Sequence, residues 1–165
     1  MAHWVVETAR TGMRELTAED RESVAMLDWL DPDRVLRRCA EQYRTRGHGL
    51  WALELKSDGA FVGLCGLIAQ EVEGVDELEV GYHVLPDYRG RGLASEAARG
   101  VMAYAFGTLG AERIVSIILP DNGASIAVAL GNGLTFERSA RFRGLDVAIY
   151  VARRPRPALS GRQDT

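Results

Sequence analysis

The stretch that decides the reading is Leu85-Pro86-Asp87-Tyr88-Arg89-Gly90-Arg91-Gly92-Leu93-Ala94. A β-type run, Leu78-Glu79-Val80-Gly81-Tyr82-His83-Val84-Leu85, leads into it, and Pro86 ends that run, as proline does where a strand stops pairing. On the far side Ala94, Ala98, Val101, Ala105 and Leu109 recur at helical spacing, so Leu93 to about Leu109 is expected to be a helix. Strand end, glycine-rich turn and helix start, in that order, let several backbone N–H groups converge on one point. The helix N-terminus adds about half a positive charge there. Such a loop binds an anion, and a pyrophosphate fits it best.

Outward from the loop, the elements alternate in type. Towards the N-terminus, Met13–Leu16 reads as a short strand, and Thr17 with Asp20 starts a helix expected to reach about Leu30. Asp31-Pro32 opens a second helix that ends at Gly47-His48-Gly49. Leu50–Leu55 and Phe61–Ile68 form a hairpin about Ser57-Asp58-Gly59, and Glu71–Asp76 reads as an acidic loop. Towards the C-terminus, Arg113–Leu119 is a buried-type strand and Asn122 to about Leu130 a short helix. Strands around Leu134–Phe142 and Asp146–Ala152 complete the order β-α-α-β-β-β-α-β-α-β-β. This order predicts one three-layer α/β/α domain over residues 1–152 around a central mixed sheet, with 153–165 a flexible tail.

Composition bounds the function. The 165 residues are 47% hydrophobic and 26% charged, the profile of a soluble globular protein. A net charge of -3 argues against a general nucleic-acid binder, and no apolar run is long enough to span a bilayer. Cys39 and Cys65 are the only cysteines and the N-terminus does not read as a signal peptide, so free thiols in the cytoplasm are expected. No metal is expected.

The loop lacks the Gly-Lys-Ser/Thr of a Walker phosphate loop, and Gly90-x-Gly92-x-x-Ser95 lacks the third glycine of a dinucleotide fingerprint. Arg89, Gly92 and Ala94 instead match the Gln/Arg-x-x-Gly-x-Gly/Ala motif, and the chain resembles the GNAT N-acetyltransferase superfamily. The resemblance runs from about Met13 to Ala152. It includes Glu79–Tyr82, Asn122 with Ser125, the Gly133-Leu134-x-Phe136 step and Asp146–Tyr150. Its phrasing is closest to the branch with the ribosomal-protein-alanine N-terminal acetyltransferases. The resemblance implies a sheet splayed at an acetyl-CoA site and transfer of acetyl to a primary amine of a small molecule or a protein N-terminus. A second copy of the chain is a candidate partner.

The resemblance implies residue roles as well. Arg89, Gly90, Arg91, Gly92, Leu93, Ala94 and Ser95 would cradle the pyrophosphate. Val84 would hold the pantetheine arm, with Asn122 a donor to it, and the Leu85 N–H would polarise the thioester carbonyl. An ammonium has no lone pair, so a base is needed. Glu79 is the first candidate, His83 a second on the same strand face, and Glu77 a third. Many family members carry a tyrosine acid where this chain has Ala129, so Ser125 takes the acid role. Asp28, Trp29 and Asp31, opposite Arg141–Gly144, would receive a cationic amine. The alternative is a non-catalytic acetyl-CoA-binding regulatory module. A binder of some other nucleotide phosphate is a further rival.

Overall fold

The structure is a computed structural model and describes residues 3–28 and 30–156. Its strands are β1 (Val6–Glu7), β2 (Thr11–Glu15), β3 (Leu50–Leu55), β4 (Phe61–Val72), β5 (Val75–Val84), β6 (Arg113–Ile118), β7 (Thr135–Phe142) and β8 (Leu145–Arg153). Its helices are α1 (Arg21–Ala25), α2 (Pro32–Arg46), α3 (Leu93–Gly107) and α4 (Gly123–Gly131). One eight-stranded sheet runs in the order β1-β2-β3-β4-β5-β6-β8-β7. Every pairing is antiparallel except β5 with β6. The sheet is therefore mixed, with its one parallel step beside the glycine-rich loop.

Alternation along the strands divides the core into two layers. Trp51, Leu53, Cys65, Leu67, Val80 and Val84 face α3, where Ala97, Ala98, Val101 and Ala105 supply a flat apolar stripe. Leu50, Ala52, Leu64 and Leu85 face the other way, against Val24, Leu27 and Cys39 of the α1–α2 region. Helices thus cover both faces, as the expected three-layer fold requires.

Three elements differ from the sequence expectation. The first helix stops at Ala25 instead of reaching Leu30. Beyond it the bonds Met26 N–H to Ser23 O, Leu27 N–H to Val24 O and Leu30 N–H to Leu27 O span three residues each. That tighter winding buries Val24 and Leu27 together while leaving Met26 exposed. The expected acidic loop is a hairpin: Glu71 pairs with Asp76 and Val72 with Val75, and only Glu73-Gly74 turn, both with positive φ. Val72 is buried against Val115, Val147 and Ile149, and Glu73 accepts the Arg141 N–H, so distant partners stabilise this tip. The short β1 adds an edge strand that two residues of sequence could not announce.

Candidate active site

The two edges of β5 are unlike. Towards β4 it pairs from Val75 to Val84, and the Leu85 N–H extends the ladder to Val62 O at 2.8 Å. Towards β6 the register holds one pair, Glu79 with Val115. Beyond Glu79 the strands part, and the expected splay is present. Successive residues of a strand direct their polar groups to opposite edges. With Leu85 committed to β4, Val84 and Tyr82 direct theirs into the gap. The Leu85 N–H expected to polarise a carbonyl is thus taken up by the sheet, and its side chain is buried in the α1–α2 layer. The donors at the open edge are the Tyr82 and Val84 N–H groups, Val84 being the one next to the glycine-rich loop.

The gap opens into a cavity of about 540 Å³. Val84, Arg89, Gly90, Gly92, Leu93, Ala94, Ser95, Asn122 and Ser125 all line it, so most of the expected cofactor residues meet around one cavity. Leu85 and Arg91 do not. Gly90 and Gly92 have φ of 76° and 75°, left-handed values that a side chain resists, which explains both glycines. Gly92 is the N-cap of α3, and among the described residues no side chain caps that end. The first intrahelical bond is Glu96 N–H to Gly92 O, so the first-turn N–H groups before it are available to a ligand. Arg89 Nε donates to Val84 O at 2.9 Å and ties the loop to the strand end. Arg91 lies over the Tyr88 ring and donates to Asp87 O, without lining the cavity itself. An uncapped helix end, left-handed glycines and a contiguous cavity fit a pyrophosphate with an attached arm.

Helix α4 forms the opposite wall. Asn122 caps it, accepting the Ser125 N–H at 3.2 Å, and the amide nitrogen of its side chain is left over for a ligand. Ser125 O accepts from the Tyr82 hydroxyl at 3.0 Å. Tyr82, unassigned from sequence, thereby bridges β5 to the first turn of α4 across the gap. Burial pushes its phenol up to about 12, so it remains protonated. Ala129 is buried in the α3 layer, away from the cavity wall.

Residues 10–135 match the family model of the acetyltransferase (GNAT) domain. The chain belongs to the GNAT family. It is similar to YkkB of Bacillus subtilis (34% identity over 111 residues), spanning 66% of this chain and 64% of that relative's length. It is also similar to the N-acetyltransferase YoaA of Bacillus subtilis (27% identity; 81% of this chain, 84% of YoaA). Among solved structures, the ribosomal L7/L12 α-N-protein acetyltransferase RimL in complex with coenzyme A superposes with TM-score 0.73. It is 18% identical, with 92% of this chain and 98% of that one covered. This GNAT chain is an acetyl-CoA-dependent acetyltransferase. Among its described residues no cluster of His, Cys, Asp or Glu could hold a metal, and no helix is long and apolar enough to cross a membrane.

In this GNAT fold the three base candidates are in different situations. Glu77 is buried and paired twice with Arg113, at 3.0 Å each, away from the cavity at the splay. Glu79 stands at the root of the splay. Gln70 Nε2 donates to its Oε1 at 3.1 Å, and the Ile117 N–H of β6 to its Oε2 at 3.3 Å. The residue keeps some exposed surface, but its carboxyl is enclosed. That desolvation raises its pKa above the usual carboxylate value, against the opposing pull of those bonds and of Arg143 and Arg38. His83, four residues on along the same face, lines the cavity, and burial pushes its imidazole down to about 4.

On the acceptor side, Asp28 lines the cavity. Asp31 is occupied as the α2 N-cap, accepting from the Asp33 and Arg34 N–H groups. Trp29 lies outside the described residues. Arg141 donates to Asp146 and to Gly144 O within its own hairpin.

Proposed function

We propose that this acetyltransferase moves the acetyl group of acetyl-CoA onto a primary amine, of a small molecule or a protein N-terminus, by direct transfer while both substrates are bound. The observation that carries this reading is the free edge of β5, which directs the Val84 N–H into a cavity while the same strand carries a desolvated carboxylate, Glu79. Acetyl-CoA supplies an acyl group already activated as a thioester. The N–H groups from Gly90 to Ser95 bind its pyrophosphate, with Arg89 beside them, and Asn122 steadies the arm. Val84 N–H polarises the carbonyl, in place of the committed Leu85. Glu79 takes the proton of the attacking amine through water, because a carboxylate with a raised pKa is the better matched base. Ser125 donates its hydroxyl proton to the departing sulfur and regains one from solvent.

Cys39 and Cys65 do not offer an acyl-enzyme route: both are buried and burial raises both thiols. Two buried free thiols also suit a reducing compartment such as the cytoplasm. His83 supports a second reading of the base, since it, and not Glu79, touches the cavity. Asp28 on the cavity wall favours a cationic acceptor.

The test is release of CoA from acetyl-CoA by the purified protein across amino-acid-like amines, polyamine-like amines and peptides with free N-termini. Turnover with one class, lost in Glu79→Gln with acetyl-CoA affinity retained, is the expected result. Acetyl-CoA binding with no release for any amine would favour the regulatory-module alternative.

A further inference from the structure

The pyrophosphate cradle carries a built-in liability. Glu96 sits in the first turn of α3, where a carboxylate suits the helix dipole but opposes an incoming pyrophosphate. It is engaged from a distant part of the chain. Thr8 Oγ1 donates to Glu96 Oε2 at 2.6 Å and the Arg10 N–H to the same oxygen at 2.9 Å. Arg10 Nε donates to Oε1 at 2.8 Å. Burial alone would raise this carboxyl, but the bonds from Thr8 and Arg10 outweigh it and hold Glu96 below its usual value, ionised.

The same guanidinium reaches the loop itself. Arg10 Nη1 donates to Arg91 O at 2.9 Å, and Nη2 stands 3.5 Å from where a Cβ on Gly92 would be. The turn between β1 and β2 that carries Arg10 is seated closely on α3. A Cβ on Gly100 would lie 2.6 Å from Thr8 Cγ2, too close unless one of the two shifts, so glycine there permits the approach. Arg10 therefore engages both the negative carboxylate in the first turn of α3 and the partly negative carbonyl of Arg91 within the loop.

We propose that Arg10 is a positioning residue for acetyl-CoA: it neutralises Glu96 and holds the Arg91 carbonyl in place, so that the loop presents N–H groups and not oxygens to the pyrophosphate. This rests on reading Arg89–Ser95 as the pyrophosphate cradle. It assigns the β1–β2 hairpin, about 80 residues upstream of the loop, to donor binding.

The test compares wild type, Arg10→Gln, Glu96→Gln and the double variant by KM for acetyl-CoA at saturating amine and by direct CoA binding. Arg10→Gln should raise KM about tenfold, with kcat changed less than about twofold, since about 1.4 kcal/mol of lost binding is a factor of ten. The double variant should return to within about threefold of wild type, because the uncompensated charge is gone. A purely structural role predicts the reverse, a double variant at least as impaired as the single. Turnover of S-acetylpantetheine, which has no pyrophosphate, should differ little between wild type and Arg10→Gln. If Arg10→Gln does not fold, Arg10→Lys carries the test, with an intermediate KM that Glu96→Gln again lowers. Wild-type KM in Arg10→Gln, or no recovery in the double variant, overturns the proposal. The cradle reading fails separately, if Gly92→Ala leaves CoA affinity intact.

Discussion

Strand β5 has one closed edge and one open edge, and the difference between them is the basis of the site. On the β4 side ten residues are in register and an eleventh N–H, that of Leu85, continues the ladder. On the β6 side one pair is made, and the carboxylate of Glu79 accepts the Ile117 N–H beyond it. A strand free on both edges would be mobile, and one paired on both would have nothing to offer. Holding one edge fixes the direction of the polar groups on the other. Donors fixed in this way need no reorganisation when charge develops on a substrate, which is what electrostatic catalysis requires.

The closed edge can be broken at Gly63, and the largest effect is expected there. A Cβ on Gly63 would lie 2.0 Å from His83 O and 3.0 Å from Val84 Cα, both backbone atoms that cannot turn aside. Gly63→Ala should cost about 3 kcal/mol or more, in the range of severe overpacking. Denaturant titration measures the loss, and activity should fall with it because Val84 moves. Wild-type stability would mean that β4 can shift without disturbing β5, and the argument for a rigid edge would fail.

At the root of the open edge, Glu79→Gln separates two roles. Glutamine can still accept the Ile117 N–H, so the splay is kept, but it cannot take a proton. kcat/KM should drop about 10²- to 10³-fold, within the range for general-base catalysis, with stability near neutral pH equal to or above that of wild type. The pH profile carries the sign. The folded pKa of Glu79 is raised, so wild-type activity should fall on the acid side at a pH above ordinary carboxylate titration. Linkage runs the opposite way along the pH axis: stability is fullest below the unfolded value and declines as pH rises through the folded one, a decline absent in the variant. His83, pushed down to about 4, is neutral throughout that window. An acid limb that persists in Glu79→Gln and vanishes in His83→Gln would move the base to His83.

How much of this was legible in the sequence follows from which interactions are local. Gly90 and Gly92 announce their left-handed backbone directly, and Asn122 its cap, because turns and caps are written within a few residues. The fold class followed from the order of elements. Which N–H of β5 faces the gap did not, because a one-residue change of register exchanges Val84 and Leu85, and periodicity alone does not fix register. The Glu71–Asp76 segment read as a loop because its charges are visible while its partners, Arg141 and the Val72 contacts, lie about 70 residues away. Arg10 was silent for the same reason: nothing near it names Glu96.

The smallest expected effect lies across the gap, where Tyr82 ties the open edge to α4. Its hydroxyl donates to Ser125 O, so Tyr82→Phe removes one neutral hydrogen bond from an otherwise intact wall. The stability cost should be about 1 kcal/mol. If Ser125 is the acid and Tyr82 only holds it, Tyr82→Phe should lower kcat about threefold and Ser125→Ala about tenfold or more, with KM for acetyl-CoA moving less than kcat in both. A donor whose departing sulfur forms a more stable thiolate needs less protonation, so it should rescue Ser125→Ala more than Tyr82→Phe. The opposite ranking would make Tyr82 the acid. Its phenol, raised to about 12 by burial, could then give a proton and recover it across the whole physiological range. The open edge of β5 would in that case supply the polarising donor, the base and the acid from a single strand.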